Sequence, residues 1–141
     1  MSADEADYQK YLRNGTAMDE IYSGISLYKN ATYVDCTLKQ VGLAMLKSNA
    51  TLMLTKRTYG DASALYSFRT NDPEFGPVQG YELKFYYGNV FVNLLLAGPL
   101  GESTLLDVDR YATILEQRLK SACPDCEKAP KCPRKLETEN P

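Results

Sequence analysis

Four cysteines, one arginine set among tyrosines, and a complete lack of histidine are the features of this chain that bear most directly on chemistry. Without histidine there is no Ser–His or Cys–His nucleophilic pair, no HExxH zinc motif and no imidazole acid–base step. Carboxylate pairs or a cysteine nucleophile are what remain. Glu82 stands alone on an outward strand face, and Asp107 and Asp109 read as helix caps. The chain is therefore expected not to be an enzyme and to use no cofactor.

The cysteines are Cys36, Cys123, Cys126 and Cys132. An even count suits two disulfides in an oxidising compartment. The last three lie close together, so if all four pair within the chain, Cys36 bonds one of them and the other two bond each other. The long bridge would close a loop worth about 3–5 kcal/mol through the entropy of the unfolded state. Cys123-Pro124-Asp125-Cys126 could also be a thioredoxin-like redox pair or half of a zinc site. Redox chemistry wants CxxC at the start of a helix within a βαβ unit, whereas here it follows a helix. A zinc site would need Cys36 brought in without a second CxxC. Disulfides, and no metal, are the expectation.

Arg57 draws attention through its strand partners. Gly60-Asp61 between Tyr59 and Ala62 reads as a two-residue hairpin turn, which pairs Tyr59–Ala62, Arg57–Ala64, Thr55–Tyr66 and Met53–Phe68. Gly88-Asn89 gives a second such turn, pairing Tyr87–Val90, Phe85–Val92, Leu83–Leu94 and Tyr81–Leu96. Period-2 alternation keeps each set on one face, and both sets look like an interior. Tyr86–Phe91, Lys84–Asn93 and Glu82–Leu95 fall on the outer face. An arginine on an inner face wants a carboxylate, and neither inner face offers one. Small Ala62 and Ala64 leave room beside it. The expectation is a cavity lined by Arg57, Tyr59, Tyr66, Phe68, Tyr81, Phe85 and Tyr87, suited to an apolar ligand with an anionic or polar head. A three-residue turn would flip the parity, or Arg57 could lie near an open end in water.

The elements that must hold these residues are mostly strands. Ser2-Ala3-Asp4-Glu5 is a capping box, with Tyr8, Tyr11 and Leu12 at helical spacing, so a short helix to about Arg13 is expected. Strand-like segments then recur at Tyr22–Lys29, Tyr33–Leu46, Ala50–Tyr59, Ala62–Thr70, Tyr81–Tyr87, Val90–Leu96 and Thr104–Val108. Regular turn signals between them are the pattern of an antiparallel barrel or sandwich. Asp107–Ala122 reads as a helix whose stripe of Tyr111, Ile114, Leu115, Leu119 and Ala122 packs on the sheet. A single domain over residues 1–132 and a loose tail over residues 133–141 follow.

Composition narrows the setting. A net charge of −2, spread evenly along the chain, gives no support to nucleic-acid binding. No apolar run reaches the length of a membrane span. The polar N-terminus is not a signal peptide; it fits a cytosolic start or a methionine placed on a mature secreted chain. Three N-x-T sequons, at Asn14, Asn30 and Asn49, together with the cysteines, favour a secreted glycoprotein.

The order of features resembles the tick salivary lipocalins: a short N-terminal helix, a strand ending in Leu27-Tyr28-Lys29-Asn30, Cys36 in the next strand, a run of antiparallel strands, and a helix followed by cysteines. The general lipocalin Gly-x-Trp is missing, with Ser23-Gly24-Ile25 the nearest piece. The late cysteine-bearing strand of that family has no counterpart either. The resemblance implies a lipocalin-like barrel with the C-terminal helix packed outside, secreted into saliva to dampen host defence. It implies a partner that is either a small mediator, lipid- or fatty-acid-like such as a leukotriene, or a host defence protein such as a complement component. A protein partner would be held through loops, for which Asn71–Gly80 and Gly98–Ser103 are the candidates.

Overall fold

A computed structural model describes residues 3–13, 17–73, 76–99 and 105–133. Its strands are β1 (Ala3–Arg13), β2 (Ala17–Tyr28), β3 (Thr51–Met53), β4 (Ala62–Asp72), β5 (Gly76–Tyr87) and β6 (Val90–Pro99). Two helices, α1 (Val34–Lys47) and α2 (Leu105–Ala122), complete it. The strands form one antiparallel sheet in the order β1-β2-β6-β5-β4-β3. β1 and β3 end that order without pairing to each other among the described residues, so the sheet is open.

The β5–β6 hairpin has the register that Gly88-Asn89 predicts, from Tyr87↔Val90 to Tyr81↔Leu96. Gly88 has φ +58°, the left-handed geometry that a tight hairpin turn demands. On one face of this hairpin Leu83, Phe85, Val92, Leu94 and Leu96 join Leu65 of β4 in the main core. Helix α2 closes over them with Val108 and Ala112, supported by Leu115 and Leu119. Tyr111 and Ile114, expected in the buried stripe, are exposed instead. Starting the stripe at Val108 rotates the buried side of α2 away from them.

The opposite face is also covered. Val34 and Leu38 of α1 pack on Tyr86 and Phe91, with Val41 and Tyr28 alongside. Val34, Leu38 and Val41 recur at helical spacing. Residues 34–46 are therefore helix, not the strand expected from their apolar content. Three other expectations change. Residues 3–13 form β1, because pairing with β2 from Ala3↔Tyr28 to Arg13↔Ala17 supplies the backbone partners that a capped helix would have made internally. Of the strand expected over 50–59, only Thr51–Met53 pairs. Residues 105–108 open α2 and are not a strand.

After α2 the chain crosses the end of the β5–β6 hairpin and reaches the α1 side. The Tyr87 hydroxyl donates to the Cys123 carbonyl at 2.9 Å, and a Cβ on Gly88 would meet the Cβ of Cys126 at 2.8 Å. Lys128 pairs with Asp61 at 3.2 Å. The Cys123–Cys126 bridge tightens the start of this strap, and Cys36–Cys132 fastens its end to α1. Pairing is thus of the kind expected, with Cys132 as the partner of Cys36. No described cysteine is free. All four are spoken for, which leaves no thiolate set for zinc.

Candidate functional site

Arg57 lies on the β3–β4 connection, where it meets α2. Its Nη1 donates to Glu116 Oε1 at 3.2 Å, its Nη2 to Thr113 Oγ1 at 2.9 Å, and its Nε lies 3.6 Å from Asp109. Asp109, Thr113 and Glu116 are spaced to share one face of α2. The guanidinium also sits 3.9 Å from the centroid of the Tyr59 ring, a cation–π contact. Tyr59 donates its hydroxyl to Asp109 at 2.6 Å, and the Gly60 N–H donates to Glu116 at 2.6 Å. Burial, then the bond to Asp109, pushes the Tyr59 phenol up to about 12. The carboxylate that Arg57 requires comes from the protein, not from a ligand. Asp109 is a second-turn partner and no helix cap.

The remaining expected ligand residues divide between the two faces. Tyr81, Phe85 and Tyr87 alternate onto the α2 side, where Phe85 is fully buried and Tyr59 packs near it, 6.3 Å between ring centroids. Tyr66 and Phe68 fall on the α1 side, because Tyr66 pairs with Glu82 and Phe68 with Gly80. The Phe68 ring lies across Gly80, which has no side chain to oppose it. Burial, and then the Glu82 charge, raise the Tyr66 phenol above its ordinary value. The seven residues thus do not line one cavity. The physical reason is the β4–β5 connection. Asp72↔Gly76 leaves three residues in that turn, so even positions of β4 meet even positions of β5. The turn at Gly60-Asp61 is not a two-residue hairpin either. β3 pairs as Met53↔Leu65, three positions from the expected register.

Two sites with unusual electrostatics emerge on the α1 face. Asp35, in the first turn of α1, is 1% exposed. It accepts the Tyr86 hydroxyl at 2.7 Å and the Cys132 N–H at 2.7 Å. Burial, then this bond, raises the Tyr86 phenol well above its usual range. The second is Lys84, 7% exposed, whose Nζ donates to Asn93 Oδ1 at 2.9 Å and to Glu82 Oε1 at 3.1 Å.

Lys84 and Asn93 line a cleft of about 230 Å³ between α1 and the sheet. Tyr22, Gly24, Ser26 and Tyr28 of β2 form one wall, Phe91 lies in the floor, and Thr37 and Val41 of α1 form the other wall. Alternation places the Lys84–Asn93 pair correctly in sequence, but on a face expected to meet solvent. Only the packing of α1 turns that face into an interior. A wider, open recess of about 420 Å³ lies at the β3 end of the sheet, touched by Phe68, Arg69, Gln79 and Tyr81. There Arg69 donates to the Gln79 side chain at 2.9 Å.

Part of each stretch expected to project as a loop is strand. Asn71 and Asp72 belong to β4 and residues 76–80 to β5, while Gly98 and Pro99 end β6. Residues 74–75 and 100–104 lie outside the described residues, as do Asn14 and the tail 134–141. Asn30 and Asn49 are exposed. No helix among the described residues is long and apolar enough to cross a membrane. Comparison with protein-family models, with curated proteins and with solved structures finds no match to this chain.

Proposed function

We propose that this protein is a secreted binding module, without catalytic activity, that sequesters a small molecule in the cleft between α1 and the sheet. The observation that carries this reading is Lys84, a cation 7% exposed in the lining of a cleft that is otherwise largely aromatic and small. Burying an ammonium is costly, and an apolar residue there would stabilise the sheet at least as well. A polar group retained at such a point suits recognition. Two disulfides fit an extracellular life. The resemblance to tick salivary lipocalins supplies the setting, in which a host mediator is captured in saliva and its free concentration falls. In a closed barrel that mediator would lie among the strands. In this protein the recess on the outside of the sheet, under α1, takes the same role.

Native mass spectrometry of protein from a secretory host, before and after denaturation, tests the reading. A small-molecule adduct that is lost on denaturation is the expected result. A bare mass, with two disulfides intact and no gain when lipids or amines are offered, favours an inhibitor that docks on a host defence protein. Exposed Leu52 and Leu54 at β3 are the apolar surface that such a partner would cover.

A further inference from the structure

On the reading that this cleft binds a small molecule, we infer that it selects a compact, flat ligand that is uncharged and presents a hydrogen-bond acceptor to Lys84. The charge follows from the pairing. Glu82 already neutralises the ammonium at 3.1 Å, so an anion would have to approach that carboxylate while gaining only a shared cation. A cation would find the cleft's carboxylate already taken by Lys84 and gain only a shared counter-charge. A carbonyl escapes both penalties. The ammonium has three donors, and Glu82 and Asn93 take two. A ligand that excludes water must satisfy the third or leave it orphaned.

The shape follows from the lining. Tyr28 and Phe91 offer aromatic surface, Val41 caps them from α1, and Gly24 opposite Asn93 contributes no side chain. A volume of about 230 Å³ lies below the 300–1,000 Å³ of sites for drug-sized ligands. It suits a two-ring system and not an extended acyl chain.

The experiment titrates the full chain, followed by amide NMR shifts, with three ligands that share one ring body: naphthalene-1-carboxamide, naphthalene-1-carboxylate and naphthalen-1-ylmethylammonium. The carboxamide is expected to bind at least about tenfold more tightly than either charged analogue, shifting the amides of Gly24, Thr37, Val41 and Asn93. Lys84→Met should weaken it about tenfold or more, and Gly24→Val should abolish it by filling the cleft. Glu82→Gln, which removes the counter-charge, should move the preference to the carboxylate. The wild-type shift map decides the location even if Lys84→Met does not fold. Preference for a charged analogue, an unchanged affinity in folded Lys84→Met, or shifts confined to another surface would overturn this inference while leaving the binding function intact. No shift with any of the three, together with no adduct in native mass spectrometry, would overturn both.

Discussion

The same pair of groups, a tyrosine hydroxyl donating to an aspartate, is built into both faces of this sheet, and the surroundings give it different work. On the α2 face, Tyr59 and Asp109 belong to a shared network in which Arg57, 38% exposed, also reaches Glu116. Several partners share each charge, and water screens the outer part. On the α1 face, Tyr86 and Asp35 are buried, and among the described residues the other donor to the carboxylate is the Cys132 backbone. The first arrangement is redundant and tolerant. The second is a single clamp, set beside the Cys36–Cys132 bridge, that fixes the end of the strap to α1. Losing one partner should therefore matter more where fewer partners exist.

The most severe way to break this contrast is to release the strap. Cys36→Ser with Cys132→Ser opens a bridge whose ends are 96 residues apart, at an expected cost of about 3–5 kcal/mol in urea unfolding. Cys123→Ser with Cys126→Ser, across a separation of 3, should cost about 2 kcal/mol. Equal losses would show that the strap does not join the two layers. Next comes the clamp itself. Asp35→Ala removes the acceptor of two buried donors, and a loss of about 2–4 kcal/mol is expected. Glu116→Ala on the other face should cost about 1–2 kcal/mol, since Arg57 keeps Asp109 and Thr113 and the loss is that of the acceptor for the Gly60 N–H. If Glu116→Ala proves the more damaging of the two, the ranking of the faces is reversed.

The tyrosines sharpen the comparison through the alkaline side of the stability profile. Both phenols titrate above their unfolded value of about 10, so the folded state holds protons that the unfolded chain releases. Their contribution is fully present below about pH 10 and is lost as pH rises, towards about 12 for Tyr59. Urea stability measured at pH 9 and pH 11 should therefore fall. Tyr59→Phe and Tyr86→Phe should each flatten that fall, since each removes a phenol that the folded state holds protonated. A fall that either variant leaves unchanged would show that the folded state does not hold that phenol protonated.

Local information carried the β5–β6 hairpin. Gly88-Asn89 supplies the turn geometry, and alternation assigns every side chain from Tyr81 to Leu96 to its side of the sheet. The same alternation grouped Tyr66 with Phe68 and Tyr81 with Phe85, and each grouping holds. What it left open is whether the two groups share a side. The three-residue turn between Asp72 and Gly76 decided that against the expected cavity. Residues 34–46 show a different failure. Their apolar content suits a strand, and only the spacing of Val34, Leu38 and Val41 gives the helix away.

Composition and short-range pattern alone determined a chain without imidazole chemistry, with its cysteines in two bridges, one tight hairpin and a C-terminal amphipathic helix. Each of these depends on residue type or on neighbours a few positions apart. The tertiary structure decided which carboxylate meets Arg57, that Lys84 is buried, and that Asp35 receives Tyr86 and Cys132. Those partners come from 51 to 97 positions away in the contacts of Arg57 and Asp35. Contacts over such distances form only once α1 and α2 choose opposite sides of the sheet, and no local pattern in the sequence records that choice.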